Sequence, residues 1–215
     1  MAEPQKVPIG CARPKRSRVQ YDLRLQQFKD AIPGALTASA GLRCLYVGAK
    51  VYEAGSKRGF QIGADLVSAG WDVDVLEAHR PNALSFRKLA KDGRSPVRVI
   101  HGDVRDIDDL IPPLPIYDLV MHWHGPEHLN REEVEPSLNR LALRSCGMLV
   151  VACPWGRYDQ GPAERNAFER HLCHLDETDL EGMGLRWSAI GRKGVPKENN
   201  LMGWRVLREA NWTPV

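Results

Sequence analysis

Short apolar runs alternate with helically spaced apolar positions along most of the chain. Leu42-Arg43-Cys44-Leu45-Tyr46-Val47 reads as a buried strand that stops at Gly48. Phe60, Gly63, Leu66 and Val67 then follow helical spacing as far as Gly70. Asp72-Val73-Asp74-Val75-Leu76-Glu77 is a second strand. Pro81 suits the first turn of a helix that runs to about Lys91, where Asp92-Gly93 closes it. Val97 to Ile100 and Tyr117 to Met121 are the third and fourth strands, with a short helix over Ile107 to Ile111 between them. Val134, Leu138, Leu141 and Ala142 share one helix face, and Gly147 to Ala152 is the fifth strand. A helix is predicted from Glu164 to about Leu175, with His171 on its apolar face. Ahead of all this, Val19 to Ala31 can form a helix that Pro33-Gly34 ends.

Strands that alternate with helices build a largely parallel sheet covered on both faces, an α/β architecture. The end of the chain breaks the alternation. Leu185 to Ile190 and Leu201 to Leu207 are strand-like, and only Gly191 to Asn200 separates them. That is too short for a helical crossover, so the last pair should be antiparallel, for seven strands in all.

Charge refines this division. The 215 residues carry a net charge of +3, but residues 1–18 alone carry +4 and the remainder −1. A wholly basic nucleic-acid-binding domain is thereby excluded. The expected organisation is a basic arm over residues 1–18, a helical segment over 19–40, and one α/β domain over 41–215. No run approaches the roughly 20 apolar residues of a membrane span, and the first 20 residues lack the apolar core of a signal peptide. The five cysteines are scattered, with no C-x-x-C pair. Both features point to a reducing, cytoplasmic setting.

In open α/β sheets, ligands bind beyond the carboxyl ends of the strands, so candidate chemistry is sought there. Gly48 follows the first strand and permits close approach of a ligand to the backbone. Glu77 ends the second strand, where a carboxylate can accept hydrogen bonds from ribose hydroxyls. His101-Gly102-Asp103 follows the third, and Asp103 could read an adenine amino group or cap the next turn, with Asp106 a rival cap. The fourth leads into Met121-His122-Trp123-His124-Gly125-Pro126-Glu127-His128, and the fifth into Cys153-Pro154-Trp155-Gly156-Arg157-Tyr158.

This order of residues resembles the class I S-adenosylmethionine-dependent methyltransferases over about residues 42–207. Val75-Leu76-Glu77, Gly102-Asp103-Val104-Arg105-Asp106 and His124-Gly125-Pro126-Glu127-His128-Leu129 are its most telling pieces. The resemblance implies a doubly wound, Rossmann-like, seven-stranded sheet with S-adenosyl-L-methionine as cofactor. It places Gly48 under the methionine moiety, Glu77 on the ribose, Asp103 at the adenine, and His122 beside the methyl group. It also implies methyl transfer by in-line displacement, to an acceptor expected to be a small molecule. His124, His122 and His128 are the candidate bases, His124 first, and Trp155 and Tyr158 the candidate acceptor-binding residues. The family's first motif is usually an acidic residue followed by Gly-x-Gly-x-Gly. Here Tyr46 replaces the acid, and Lys50 and Tyr52 replace two glycines.

Other classes fit less well. A nicotinamide-dependent oxidoreductase would also use Glu77, but no dinucleotide-binding glycine motif opens the first helix. A non-catalytic module of the same fold is the other alternative, its arm recruiting nucleic acid or an acidic partner. His122, His124 and His128 invite a metal, but the register differs from the His-x-His-x-Asp-His of metallo-hydrolases, so none is expected.

Overall fold

The computed structural model describes residues 16–37, 41–49, 61–91, 98–162, 166–195 and 199–208. Seven strands form one sheet: β1 (Arg43–Val47), β2 (Asp72–Glu77), β3 (Arg98–His101), β4 (Tyr117–Trp123), β5 (Ser145–Cys153), β6 (Arg186–Ile190) and β7 (Asn200–Val206). Their order is β3-β2-β1-β4-β5-β7-β6. The first five are parallel, and β7 runs antiparallel to both β5 and β6. The expected class is observed, with β7 inserted between β5 and its hairpin partner.

Alternation along the strands divides the core into two layers. In β1, Cys44 and Tyr46 face one side while Leu45 and Val47 face the other, and all four are buried. On the first side they meet Phe28 and Ile32 from α1 (Arg16–Ala31) and its C-terminal turn, Ile62 and Leu66 from α2 (Gln61–Ser68), and Phe86 from α3 (Arg80–Lys91). On the second side they meet Ile107 from α4 (Ile107–Leu110), Val134, Leu138 and Leu141 from α5 (Arg131–Ala142), and Leu180 from α6 (Glu177–Gly182). The central strands β4 and β5 are therefore nearly continuous apolar runs, whereas edge strands β3 and β6 are largely accessible. Each large apolar side chain buried this way contributes roughly 1.5–3 kcal/mol.

Two buried charges stabilise the frame away from the carboxyl ends of the strands. Asp74 accepts a hydrogen bond from the Tyr117 hydroxyl at 2.8 Å and pairs with Arg43 and Arg98. Arg144, fully buried after α5, donates to the carbonyls of Arg140, Ile107 and Ile111 and to Asp108. It thereby gathers carbonyls at the ends of two helices.

Two expectations need correcting. The first helix begins at Arg16, so the last residues of the predicted arm already belong to it; residues 1–15 lie outside the described residues. That helix docks on the far end of the chain: Gln27 donates to Ser188 and accepts from Asn200, both at the terminal hairpin. The predicted helix from Glu164 to Leu175 is not formed. Of its described part, only Ala167–Glu169 makes one tight turn, and the rest is neither helix nor regular strand. Its amides serve tertiary partners instead: His171 donates to Gln160, and Leu172 and Cys173 to the Glu127 carbonyl. Among the described residues, no helix is long and apolar enough to cross a membrane.

Candidate functional site

Winding of the sheet reverses between β1 and β4, since β2 and β3 lie on one side of β1 and β5 on the other. A cavity of about 350 Å³ opens above this switch point. Its size falls in the range of roughly 300–1,000 Å³ typical of ligand pockets.

The floor is made by the tips of β1, β2 and β4. Gly48 holds φ +77°, a left-handed conformation that glycine adopts without strain. A side-chain carbon there would lie 3.9 Å from the Gly125 Cα, so two backbones meet below the cavity. Glu77 is 5% exposed, and its Oε1 accepts from the His79 amide at 2.7 Å. The predicted glycine loop continues through Lys50, Tyr52 and Gly55, which lie outside the described residues.

Asp103 lines the cavity but is already engaged. It caps the turn Val104–Asp106 by accepting from the Arg105 amide at 2.9 Å, and it binds the Arg105 guanidinium at 2.7 Å. Partial burial pushes its pKa up, but the bonds from Arg105 dominate and lower it below the usual carboxylate range. The rival cap Asp106 makes no capping bond. The capping role weighed for Asp103 is thus present, in a carboxylate that also borders the cavity.

The loop after β4 carries the densest chemistry. His122 is 2% exposed, its Nδ1 is buried without a hydrogen-bond partner, and its ring packs tightly on Gly125. Burial lowers its pKa to about 4, so it is neutral at physiological pH. His124 holds φ +51°, an uncommon conformation for a residue other than glycine, anchored by its amide on the Ala152 carbonyl at 2.7 Å. Its Nδ1 lies 3.3 Å from Glu127 Oε1, and its Nε2 is buried without a partner. Burial lowers the pKa of His124 as well.

Glu127 was given no role of its own from the sequence, yet it is the centre of this group. It is 3% exposed, and its Oε2 has no hydrogen-bond partner. Burial alone would raise its pKa, but the bond from His124 and the surrounding imidazoles bring it down to about 2. Arg24 from α1 and the segment around Asn166 and His171 also line the cavity, and these too went unpredicted. The first is remote in sequence, and the second was assigned to a helix.

The cavity brings together Gly48, Glu77, Asp103, His122, His124, His128 and Tyr158. Trp155 is not among its lining residues. The indole donates to Glu177 at 2.6 Å, and the backbone is bonded to Asn199, so this aromatic fastens the loop after β5.

No family model and no curated protein sequence matches the chain. Solved structures do. The magnesium protoporphyrin IX methyltransferase of Synechocystis PCC 6803 with bound S-adenosylhomocysteine superposes with a TM-score of 0.58 at 16% identity, over 92% of this chain and 90% of that one. The N-terminal domain of EvdMO1 with bound S-adenosylhomocysteine gives 0.56 at 17% identity, covering 88% and 81%. An arsenic(III) S-adenosylmethionine methyltransferase from Chlamydomonas reinhardtii gives 0.55 at 16%, covering 93% and 76%. The chain has the Rossmann-like class I methyltransferase fold that its strand-end residues resemble.

Proposed function

We propose that this protein transfers a methyl group from S-adenosylmethionine to a small-molecule acceptor. The observation that carries the reading is the buried Glu77 carboxylate at the tip of β2, beside the left-handed Gly48, at the switch point of this sheet. Neighbours of the same fold support it: the magnesium protoporphyrin IX methyltransferase and the EvdMO1 domain are solved with S-adenosylhomocysteine bound, and the arsenic(III) enzyme is by name an S-adenosylmethionine methyltransferase of a small acceptor.

The residues fit the cofactor. Glu77 would accept from the ribose hydroxyls. The Gly48 backbone would lie along the methionine moiety, and Gly102-Asp103 would border the adenine. When bound, S-adenosylmethionine supplies a sulfonium methyl group open to in-line displacement. Such a reaction asks the chain mainly for alignment and a dry site, and neutral, buried His122 and the Gly48–Gly125 floor would serve both. Where the acceptor must lose a proton, His124 would take it on Nε2. Glu127, bonded to Nδ1, would orient that ring and stabilise the imidazolium.

Isothermal titration with S-adenosylmethionine, S-adenosylhomocysteine and NAD tests the reading. Binding of the two sulfur compounds is expected, and Glu77→Ala should weaken it more than tenfold. No heat with either sulfur compound, or binding of NAD in their place, would overturn the proposal.

A further inference from the structure

Glu127, His128 and His171 each offer a ligand atom to a common point, the three atoms lying within 4.8 Å of one another. They come from segments more than 40 residues apart, so spacing along the chain, which invites a metal at His122, His124 and His128 or at His171 and His174 separately, does not join them. The group differs from the His122, His124 and His128 set considered from the sequence.

The surroundings of these side chains are those of metal ligands. His128 places Nδ1 3.0 Å from the Arg170 carbonyl, and His171 places Nδ1 2.6 Å from the Tyr158 carbonyl. A carbonyl only accepts, so each Nδ1 carries the proton and each Nε2 keeps its lone pair. A second ring nitrogen held by a backbone carbonyl is the usual support for a metal-bound histidine. Tyr158 further braces His171 by packing edge-on at 5.0 Å. The third donor is the orphaned, buried Oε2 of Glu127, whose sole ion-pair partner among the described residues is His124, through Oε1. A buried carboxylate oxygen with nothing to accept from is costly, and a cation removes that cost. Donors about 2.1 Å from one tetrahedral ion lie about 3.4 Å apart, so binding asks for side-chain shifts of about an ångström.

We propose that Glu127, His128 and His171 bind one divalent transition-metal ion, of the class that takes two imidazoles and a carboxylate. All three line the cavity, so the remaining coordination positions face it. There they would hold an oxygen donor of the methyl acceptor. This last role rests on the methyl-transfer reading, whereas the metal site does not.

The test uses the full chain after dialysis against EDTA. Zinc titration by calorimetry should give one site per chain, and cobalt(II) should give the visible absorption of an ion bound by nitrogen and oxygen. Glu127→Gln and His171→Ala should each weaken zinc by more than about 100-fold, beyond the 10–100-fold effect of outer partners. His174→Ala, which removes a nearby imidazole outside the set, should leave zinc affinity within about twofold. Circular dichroism verifies that each variant is folded, and the cobalt spectrum of His128→Ala gives a second readout. Absence of a stoichiometric site, or equal losses in His174→Ala and His171→Ala, would overturn the proposal. S-adenosylhomocysteine affinity, measured on the same metal-free protein, separates the two readings. Cofactor binding without zinc binding would sink the metal site alone.

Discussion

Gly125 is the tightest joint in the site, and adding a single methyl group there tests the geometry of its floor. A Cβ on residue 125 would lie 2.0 Å from His122 Cδ2 and 2.0 Å from His122 Nε2. Carbon atoms rest at about 3.5 Å, so the imidazole must retreat by about 1.5 Å. It is 2% exposed and has little room to do so. The backbone of Gly125, at φ −132° and ψ −40°, is not left-handed, so the contact with His122 is the main source of the cost. Overpacking of this kind costs about 1–3 kcal/mol, which lowers the melting temperature by roughly 2–12 °C in a domain of this size. Gly125→Ala should show that loss by urea unfolding with an unchanged m-value. In a His122→Ala background the methyl group enters the vacated space, and the same substitution should cost less than about 0.5 kcal/mol. A coupling energy of at least about 0.5 kcal/mol is therefore expected from the double-mutant cycle. Equal costs in the two backgrounds would refute the contact and, with it, the placement of His122 beneath the cavity.

Two further outcomes follow from the same geometry. The His122 imidazole titrates near 6.5 when unfolded and near 4 when buried, so the folded chain binds fewer protons between those values. Its contribution is complete above about pH 6.5 and is lost as pH falls toward 4. Metal-free wild type should lose about 2–3 kcal/mol more than His122→Asn between pH 7.5 and 4.5, measured by urea unfolding, and parallel losses would count against burial as the cause. Trp155→Phe removes the bond to Glu177 but touches no cavity wall. Stability should fall by about 1 kcal/mol while S-adenosylhomocysteine affinity stays within twofold, and a fivefold weaker affinity would restore Trp155 to the site.

Much of the frame was legible because strand tips announce themselves. Leu45, Val47, Val75 and Leu76 belong to apolar runs that stop at Gly48 and Glu77, and the structure ends β1 and β2 at those stops. The segment around His171 misled because Phe168, Leu172 and Leu175 mimic helical spacing. Phe168 and Leu172 are in fact exposed, and tertiary carbonyls take the amides that a helix would have used. The role of Glu127 went unassigned for the opposite reason. Glutamate is almost never buried without a partner, and nothing local to residues 124–128 says that the chain folds over it. Trp155 has the composition of a stacking platform, but its direction is set by Glu177, which lies 22 residues away.

The docking of α1 on the terminal hairpin has a consequence for how the molecule is made. Gln27 takes its partners from Ser188 and Asn200, and Arg24 reaches the Asn199 carbonyl. Helix α1 thus waits for β6 and β7, which are synthesised more than 150 residues later, before it can settle. Until Asn200–Val206 is synthesised, β5 also presents an unpaired edge of buried, apolar residues, and β6 has no neighbour to join. Nascent chains should therefore carry their most adhesive surface late into synthesis. Arg24, which reaches into the cavity from α1, would take its place only when the rest of the fold is complete.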